Sequence, residues 1–308
     1  MVKSQSVLPR STPFAPPTAE APTASWGFSQ VLLAARFVEW SLRDFGLRVP
    51  VENRTRRAAE VVERAGQTPW DELAVEFRRD LSESARTVME QYLIVRAITE
   101  PNDALKERLW WLLKGPLRPG RKDASQPYDV QFELLAGAAL MHAGIQGVRL
   151  DEPDWRIAAG DREVGVAVKR VSSRKNYAKL VHKAVSQIRG QGCPGVIVLN
   201  FDALVGTDEP SAAAVRVTSM VKEAREFMRT LEAEDAVFCL FGFASSFNLL
   251  WSPVGGALGI EMFTHGEVIE PDLSNASKIR AWFDRIGGNI MRSVRRAMQE
   301  MPNLPAAI

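Results

Sequence analysis

The pattern of apolar and polar positions divides the chain into a helical first part and a mixed second part. Between residues 26 and 115 apolar residues recur at helical spacing, as in SQVLLAARFVEWSLRDFG (29–46), and no alternating strand pattern appears. This region is predicted to be a helical domain of four helices, the third broken near Ser82–Ser84. Residues 1–25 are rich in Pro, Ser, Thr and Ala, a composition typical of a flexible tail.

The second part of the chain alternates between helical patterns and short apolar runs. Residues 116–127 combine Pro, Gly and charged residues without apolar periodicity and are predicted to form a linker. From 128 to 308 the predicted order is helix, three strands, helix, strand, helix and strand, and GALGIEMF (256–263) is expected to pair beside the last strand. This order predicts an α/β domain with a mixed sheet flanked by helices, followed by a basic C-terminal helix.

Composition narrows the class of protein further. The two cysteines and three scattered histidines argue against a disulfide framework and a Cys/His zinc site, and they favour a reducing, cytoplasmic setting. No apolar run is long enough to predict a membrane span, so no membrane partner is expected. The motifs G-x-x-x-x-G-K-[ST], G-x-G-x-x-G, G-x-S-x-G and H-E-x-x-H are absent. P-loop, dinucleotide, serine-hydrolase and zincin chemistries therefore lack their usual motifs.

A lysine at the end of an otherwise apolar strand is the first candidate for chemistry. In EVGVAVKR (163–170) alternate residues face the same side, so three valines form one face and Lys169 projects from the other. A buried ammonium needs acceptors. A turn at residues 160–162 makes the strand that begins at Asp154 an antiparallel neighbour, which places Asp154 near Lys169, and Glu133 lies on the preceding helix. Such an oxygen-rich pocket suits Mg²⁺ (or Mn²⁺), which can stabilise a phosphoryl transition state.

The segments FELLAGAALMHAG, EPDW, EVGVAVKR and KAVSQI, which occur in this order between residues 128 and 202, resemble the PD-(D/E)XK nuclease superfamily. The resemblance implies a restriction-endonuclease-like fold over the second part of the chain. It also implies that Glu133 and Asp154 hold a divalent metal, and that Lys169 and Gln187 complete the catalytic set.

One position departs from the pattern of that superfamily. Its second acidic residue would fall at Ala167, and an alanine cannot ligate a metal. Glu163 is excluded as a replacement because four residues of strand span roughly 13 Å. Glu133 is expected to supply the missing carboxylate from its helix, and Glu152 is a weaker substitute on the same side of the strand as Asp154.

A concentration of positive charge follows the candidate site. Between residues 162 and 190 there are eight basic residues and one acidic residue, although the net charge of the whole chain is only +2. Such a local excess is typical of contacts with phosphates. The predicted nucleic-acid contacts are Arg170, Arg174, Lys175, Lys179 and Lys183.

The sequence thus predicts a metal-dependent endonuclease that hydrolyses phosphodiester bonds, with DNA as the expected substrate. One alternative is a nuclease fold that lost catalysis at Ala167 and binds nucleic acid only. A second alternative is a protein–protein interaction module in which the helical region and the C-terminal helix do the binding. Whether the chain forms a homo-oligomer is left open.

Overall fold

The computed structural model of the chain describes residues 24–69, 72–117, 125–159, 162–205, 210–231, 237–251 and 258–269, together with 292–293, 296–297 and 300. The helices are α1 (Phe28–Asp44), α2 (Arg54–Gln67), α3 (Val75–Ala97), α4 (Asp103–Trp110), α5 (Ser125–His142), α6 (Tyr177–Gly190), α7 (Asp202–Val205) and α8 (Pro210–Thr230). The strands are β1 (Ala24–Gly27), β2 (Arg149–Asp151), β3 (Asp154–Ala159), β4 (Arg162–Arg170), β5 (Gly195–Asn200), β6 (Val237–Trp251) and β7 (Leu258–Ile269).

In the described part of the chain these strands form one seven-stranded mixed sheet with the order β1-β7-β6-β5-β4-β3-β2. Strands β2, β3 and β4 form an antiparallel meander, while β4, β5 and β6 run parallel. Parallel neighbours require crossover connections, and α6 and α8 lie in these two connections. Strand β7 returns antiparallel to β6. The predicted α/β class, with a mixed sheet and flanking helices, is confirmed.

The N-terminal part differs from the prediction at two places. Residues 24–27 form strand β1, which pairs antiparallel with β7 from Ala24 opposite Met262 to Gly27 opposite Gly259. Ala24 therefore belongs to the sheet and not to a tail. A strand this short is difficult to recognise in the sequence, because it contains too few residues to show an alternating pattern. Helix α3 also runs unbroken through Ser82, whose hydroxyl finds its acceptor within the helix and donates to the Arg78 carbonyl oxygen at 3.2 Å.

Two further predicted segments are described only in part. Helix α5 begins at Ser125, inside the segment predicted to be a linker, and residues 118–124 lie outside the described residues. Within the basic C-terminal segment, residues 292–293 and 296–297 are helical, residue 300 lies in a bend, and the other residues of that predicted helix lie outside the described residues. Ala297 is buried, and its carbonyl oxygen accepts a hydrogen bond from Arg96 of α3 at 2.9 Å.

The sheet is buried on both faces of its central strands. Helices α1 to α5 share one hydrophobic core with the face of the meander that carries Trp155, Val164, Val166 and Val168. Helices α6 and α8 form a second core on the opposite face, which carries Ala167. The predicted alternation along β4 is therefore confirmed. The described helices of the region predicted over 26–115 share this first core with the sheet.

Candidate active site

Asp154 and Lys169 are in direct contact at the candidate site. Lys169 Nζ lies 2.7 Å from Asp154 Oδ2 and also donates to the Val168 carbonyl oxygen at 2.9 Å. The backbone N–H of Val168 donates to the same Asp154 oxygen at 2.6 Å. The Lys169 side chain is only 10% exposed, and the Asp154 side chain is 17% exposed. The pairing predicted from the hairpin is thus present, and neither of these bonds to Asp154 uses its Oδ1.

Strand register explains why these two residues meet. Strands β3 and β4 pair with Trp155 opposite Val166, so Asp154 comes level with Ala167 when the register is continued by one residue. Trp155 faces the α5 side of the sheet, and alternation therefore turns Asp154 towards the face that carries Ala167. Ala167 itself is fully buried. Where the superfamily pattern requires an acid, this chain therefore has a buried methyl group.

Helix α5 places Glu133 beside this hairpin. The indole Nε1 of Trp155 donates to the backbone oxygen of Glu133 at 2.8 Å, which ties α5 to β3. The close approach depends on Gly137, because a Cβ there would lie 2.3 Å from Trp155 Cζ2. Glu133 Oε2 is 3.6 Å from Nη1 of Arg108, and Glu133 Oε1 is buried with no hydrogen-bond partner.

The ionisation of Glu133 depends on the same group of charges. Burial raises the pKa of Glu133 to about 7; Arg108 and Lys169 lower this pKa, and Asp154 and Glu152 raise it. Glu133 therefore lies close enough to Asp154 and Lys169 for their charges to influence its own. A bound cation would favour the ionised carboxylate and give its unpartnered oxygen a ligand.

Gln187 approaches Asp154 from the opposite helical layer. Its Nε2 donates to the carbonyl oxygen of Pro153 at 3.2 Å, and its Oε1 is buried without a hydrogen-bond partner. Glu133 on α5 and Gln187 on α6 therefore each present a buried, unpartnered oxygen near the start of β3. Oxygen ligands are those that Mg²⁺ prefers, so the donor set fits this metal.

The donor set also limits how a metal would be bound. Among the residues that the structure describes, no three or more His, Cys, Asp or Glu side chains form a cluster that could hold a metal ion. Mg²⁺ commonly binds one or two carboxylates and keeps several waters. Asp154 and Glu133 would hold such an ion, with water and substrate oxygens completing its coordination.

The predicted phosphate contacts fall into two groups. Arg174, Lys175, Lys179 and Lys183 are all exposed, on the 3₁₀ turn and on the outer surface of α6. The Arg170 side chain is only 8% exposed and lies 3.7 Å from Asp129 on α5. This burial agrees with the alternation along β4, because Arg170 lies on the same face of the strand as the buried valines and on the opposite face from Lys169.

Arg108 is a residue of the site that sequence reasoning missed. It lies on α4 in the helical region, it is about half exposed, and it contacts Glu133. No motif or spacing connects Arg108 with the hairpin, because the contact depends on how α4 packs beside α5.

Comparisons with known proteins found no match, so the interpretation of the site depends on its geometry. No family model, no curated protein and no solved structure matches the chain. Across the described residues, no helix combines the length and the apolar character needed to cross a bilayer.

Proposed function

We propose that the chain is a metal-dependent nuclease with a restriction-endonuclease-like fold that hydrolyses phosphodiester bonds, with DNA as the substrate. The observation that carries the proposal is the largely buried Asp154–Lys169 pair, with unpartnered oxygens of Glu133 and Gln187 beside it. The order of α5, the β2–β4 meander, α6 and β5 supports this proposal, because a helix, an antiparallel hairpin and a second helix carry the four residues as the resemblance to the superfamily implies.

In this proposal Asp154 Oδ1 and the Glu133 carboxylate hold Mg²⁺ or Mn²⁺. The bound metal supplies a Lewis acid that polarises the phosphate and lowers the pKa of a water. The role of Asp154 is divided between its two oxygens, since Oδ2 holds Lys169 and the Val168 N–H. Glu133 must lose its proton to bind the cation.

Lys169 provides the positive charge closest to the reacting phosphate in this proposal. An ammonium has three donors, and the structure uses two of them, on Asp154 and on the Val168 carbonyl oxygen. The third is left to donate to the attacking water or to a phosphate oxygen, where it offsets the charge that develops in the transition state. Gln187 is anchored through its Nε2, so its Oε1 can accept from the attacking water and orient it.

The exposed basic residues hold the rest of the substrate. Arg174 and Lys175 lie on the 3₁₀ turn that follows the strand of Lys169 after three residues, and Lys179 and Lys183 continue along α6 at intervals of one helical turn. This arrangement favours contacts with successive phosphates rather than with base edges. It supports affinity for nucleic acid and implies no sequence preference.

Ala167 favours a second candidate function, which is binding of nucleic acid without cleavage. The methyl group of Ala167 is fully buried, and no third acid joins Glu133 and Asp154 among the described residues. A protein of this kind would keep the basic surface and the fold but would not cut.

A nuclease assay separates the two candidates. Wild type, Asp154→Ala and Lys169→Ala are incubated with duplex DNA, single-stranded DNA and RNA in the presence of Mg²⁺ or Mn²⁺. We expect metal-dependent cleavage by the wild type and a loss of about 10²-fold or more in each variant. Lys222→Ala, an exposed change on α8, is the matched control and should cleave normally. Salt-sensitive binding with no cleavage by any protein would instead support the second candidate.

A further inference from the structure

Among the buried polar atoms without hydrogen-bond partners, four lie on α2, α3 and α5 away from the candidate active site and around Arg54. They are Nε and Nη1 of Arg54, Oγ of Ser84 and Oε1 of Gln131. All three residues are 2% exposed or less. Folded proteins leave few buried polar atoms unpaired, so such a group indicates a missing guest such as water or an ion.

The contacts of these side chains bring them to one place. Arg54 Nη2 donates to Thr87 Oγ1 on α3 at 3.2 Å, and Ser84 lies one helical turn before Thr87 on the same side of that helix. Gln131 Nε2 donates to Glu90, which lies one turn after Thr87. Ser84, Thr87 and Glu90 therefore line the side of α3 that meets Arg54 from α2 and Gln131 from α5.

Arg54 has no counter-ion in direct contact. Its guanidinium lies over the Tyr128 ring at 4.0 Å, and in the described part of the chain no carboxylate forms an ion pair with it; the charges of Glu90 and Glu83 act on it only from a longer distance. Glu83 lies 3.5 Å from Arg86, and burial raises the pKa of Glu90 to about 7. An arginine stays protonated in proteins, so Arg54 is a fully buried cation that an anion would stabilise.

We propose that Arg54, Ser84 and Gln131 form a binding site for inorganic phosphate, which we name the Arg54 site. Two N–H groups of Arg54 and the hydroxyl of Ser84 donate to oxygens of the anion, and the hydroxyl of the anion donates to Gln131 Oε1. Phosphate retains such a hydroxyl at neutral pH, whereas sulfate does not. Waters could satisfy the same atoms but would leave Arg54 without a counter-ion in direct contact. The Arg54 site is independent of the proposed nuclease function.

The burial of all three side chains favours the free ion over a phosphate group on a larger molecule. A phosphate monoester carries an organic substituent, and this substituent would have to lie among α2, α3 and α5. A comparison of inorganic phosphate with phenyl phosphate therefore distinguishes binding of the free ion from binding of a phosphate group on a larger molecule.

The first test compares anions on the full-length wild type. Thermal unfolding is followed in phosphate, sulfate and chloride at matched ionic strength and pH 7, and affinity is measured by titration calorimetry. We expect phosphate at a hundredfold excess over its Kd to raise the Tm by about 5 °C more than sulfate does. Equal Tm values in phosphate and sulfate would overturn the proposal, as would equal affinity for phenyl phosphate.

The second test uses variants of the site. Arg54→Met should abolish the shift that is specific to phosphate, and Ser84→Ala should weaken phosphate binding roughly tenfold through the loss of one donor to the anion. Ser82→Ala, a change two residues away on the same helix, is the control and should bind as the wild type does. If Arg54→Met does not fold, Ser84→Ala against Ser82→Ala decides the question. A crystal structure grown in phosphate that shows only waters beside Arg54 would refute the site.

Discussion

The Asp154–Lys169 pair makes an asymmetric prediction about stability. Asp154→Ala removes the carboxylate that accepts both the Lys169 ammonium and the Val168 N–H. The Lys169 side chain, which is only 10% exposed, then keeps its positive charge without a carboxylate in direct contact. Breaking a buried pair in this way costs about 3–5 kcal/mol, and the partial exposure of Asp154 moves the expectation to about 3 kcal/mol.

The opposite substitution is expected to cost less. Lys169→Met keeps the aliphatic stem of the side chain, removes the charge, and leaves Asp154 bound to the Val168 N–H and partly in contact with solvent. The expected loss is about 1 kcal/mol. The double variant Asp154→Ala/Lys169→Met no longer contains a buried unpaired charge. It should therefore be more stable than Asp154→Ala alone, with a coupling energy of about 2 kcal/mol.

Urea unfolding at 25 °C measures these differences through the midpoint, provided that the m-value is unchanged. Asp151→Ala is the matched control, because Asp151 is 45% exposed and pairs with Arg149 and Arg156 at the surface. Its expected loss is about 0.5 kcal/mol or less. Additive effects of the two substitutions, or an Asp154→Ala variant no less stable than Asp151→Ala, would refute the claim that the pair is coupled and buried.

Three further predictions concern the layers around the site. The pKa of Glu133 is raised to about 7 in the fold, so the native state binds more protons than the unfolded state between about pH 4.5 and 7. The metal-free protein should therefore lose stability as pH rises through this window, and Glu133→Gln should reduce the slope; an unchanged slope in denaturant titrations would contradict this. Gly137→Ala should destabilise the fold by about 1–3 kcal/mol, because the new Cβ would lie 2.3 Å from the indole of β3. Gly190→Ala is its control, since no atom lies within 4 Å of a Cβ there, and equal midpoints in urea would count against the packing argument. Lys179→Ala and Lys183→Ala should each reduce by about 1 the dependence of log K on log salt concentration for duplex DNA, and slopes equal to that of the wild type would exclude these lysines as phosphate contacts.

The sequence by itself determined the elements and the faces of the site strands. Period-two alternation in β4 separates the valines from Lys169, and it depends only on backbone geometry. The turn after β3 forces an antiparallel pairing, so the contact between Asp154 and Lys169 could be predicted from residues close together in the chain. Helix α6 (Tyr177–Gly190) is the helix that the predicted order places after the third strand. The bound metal and the substrate stay predictions, because they depend on chemistry that neither periodicity nor packing tests.

Only the tertiary structure decided which distant elements meet. Strand β1 pairs with β7 through backbone hydrogen bonds, which carry no side-chain pattern. Arg108 contacts Glu133, and Arg54 contacts α3. Both contacts result from helix packing, because helices pack by the shape of their apolar faces and this packing fixes the positions of their polar residues. Local periodicity shows which side of an element is buried and contains no information about its partner. The residues that surround the candidate site could therefore be identified only from the packing of the helices, because the sequence assigned no role to the polar side chains of these helices.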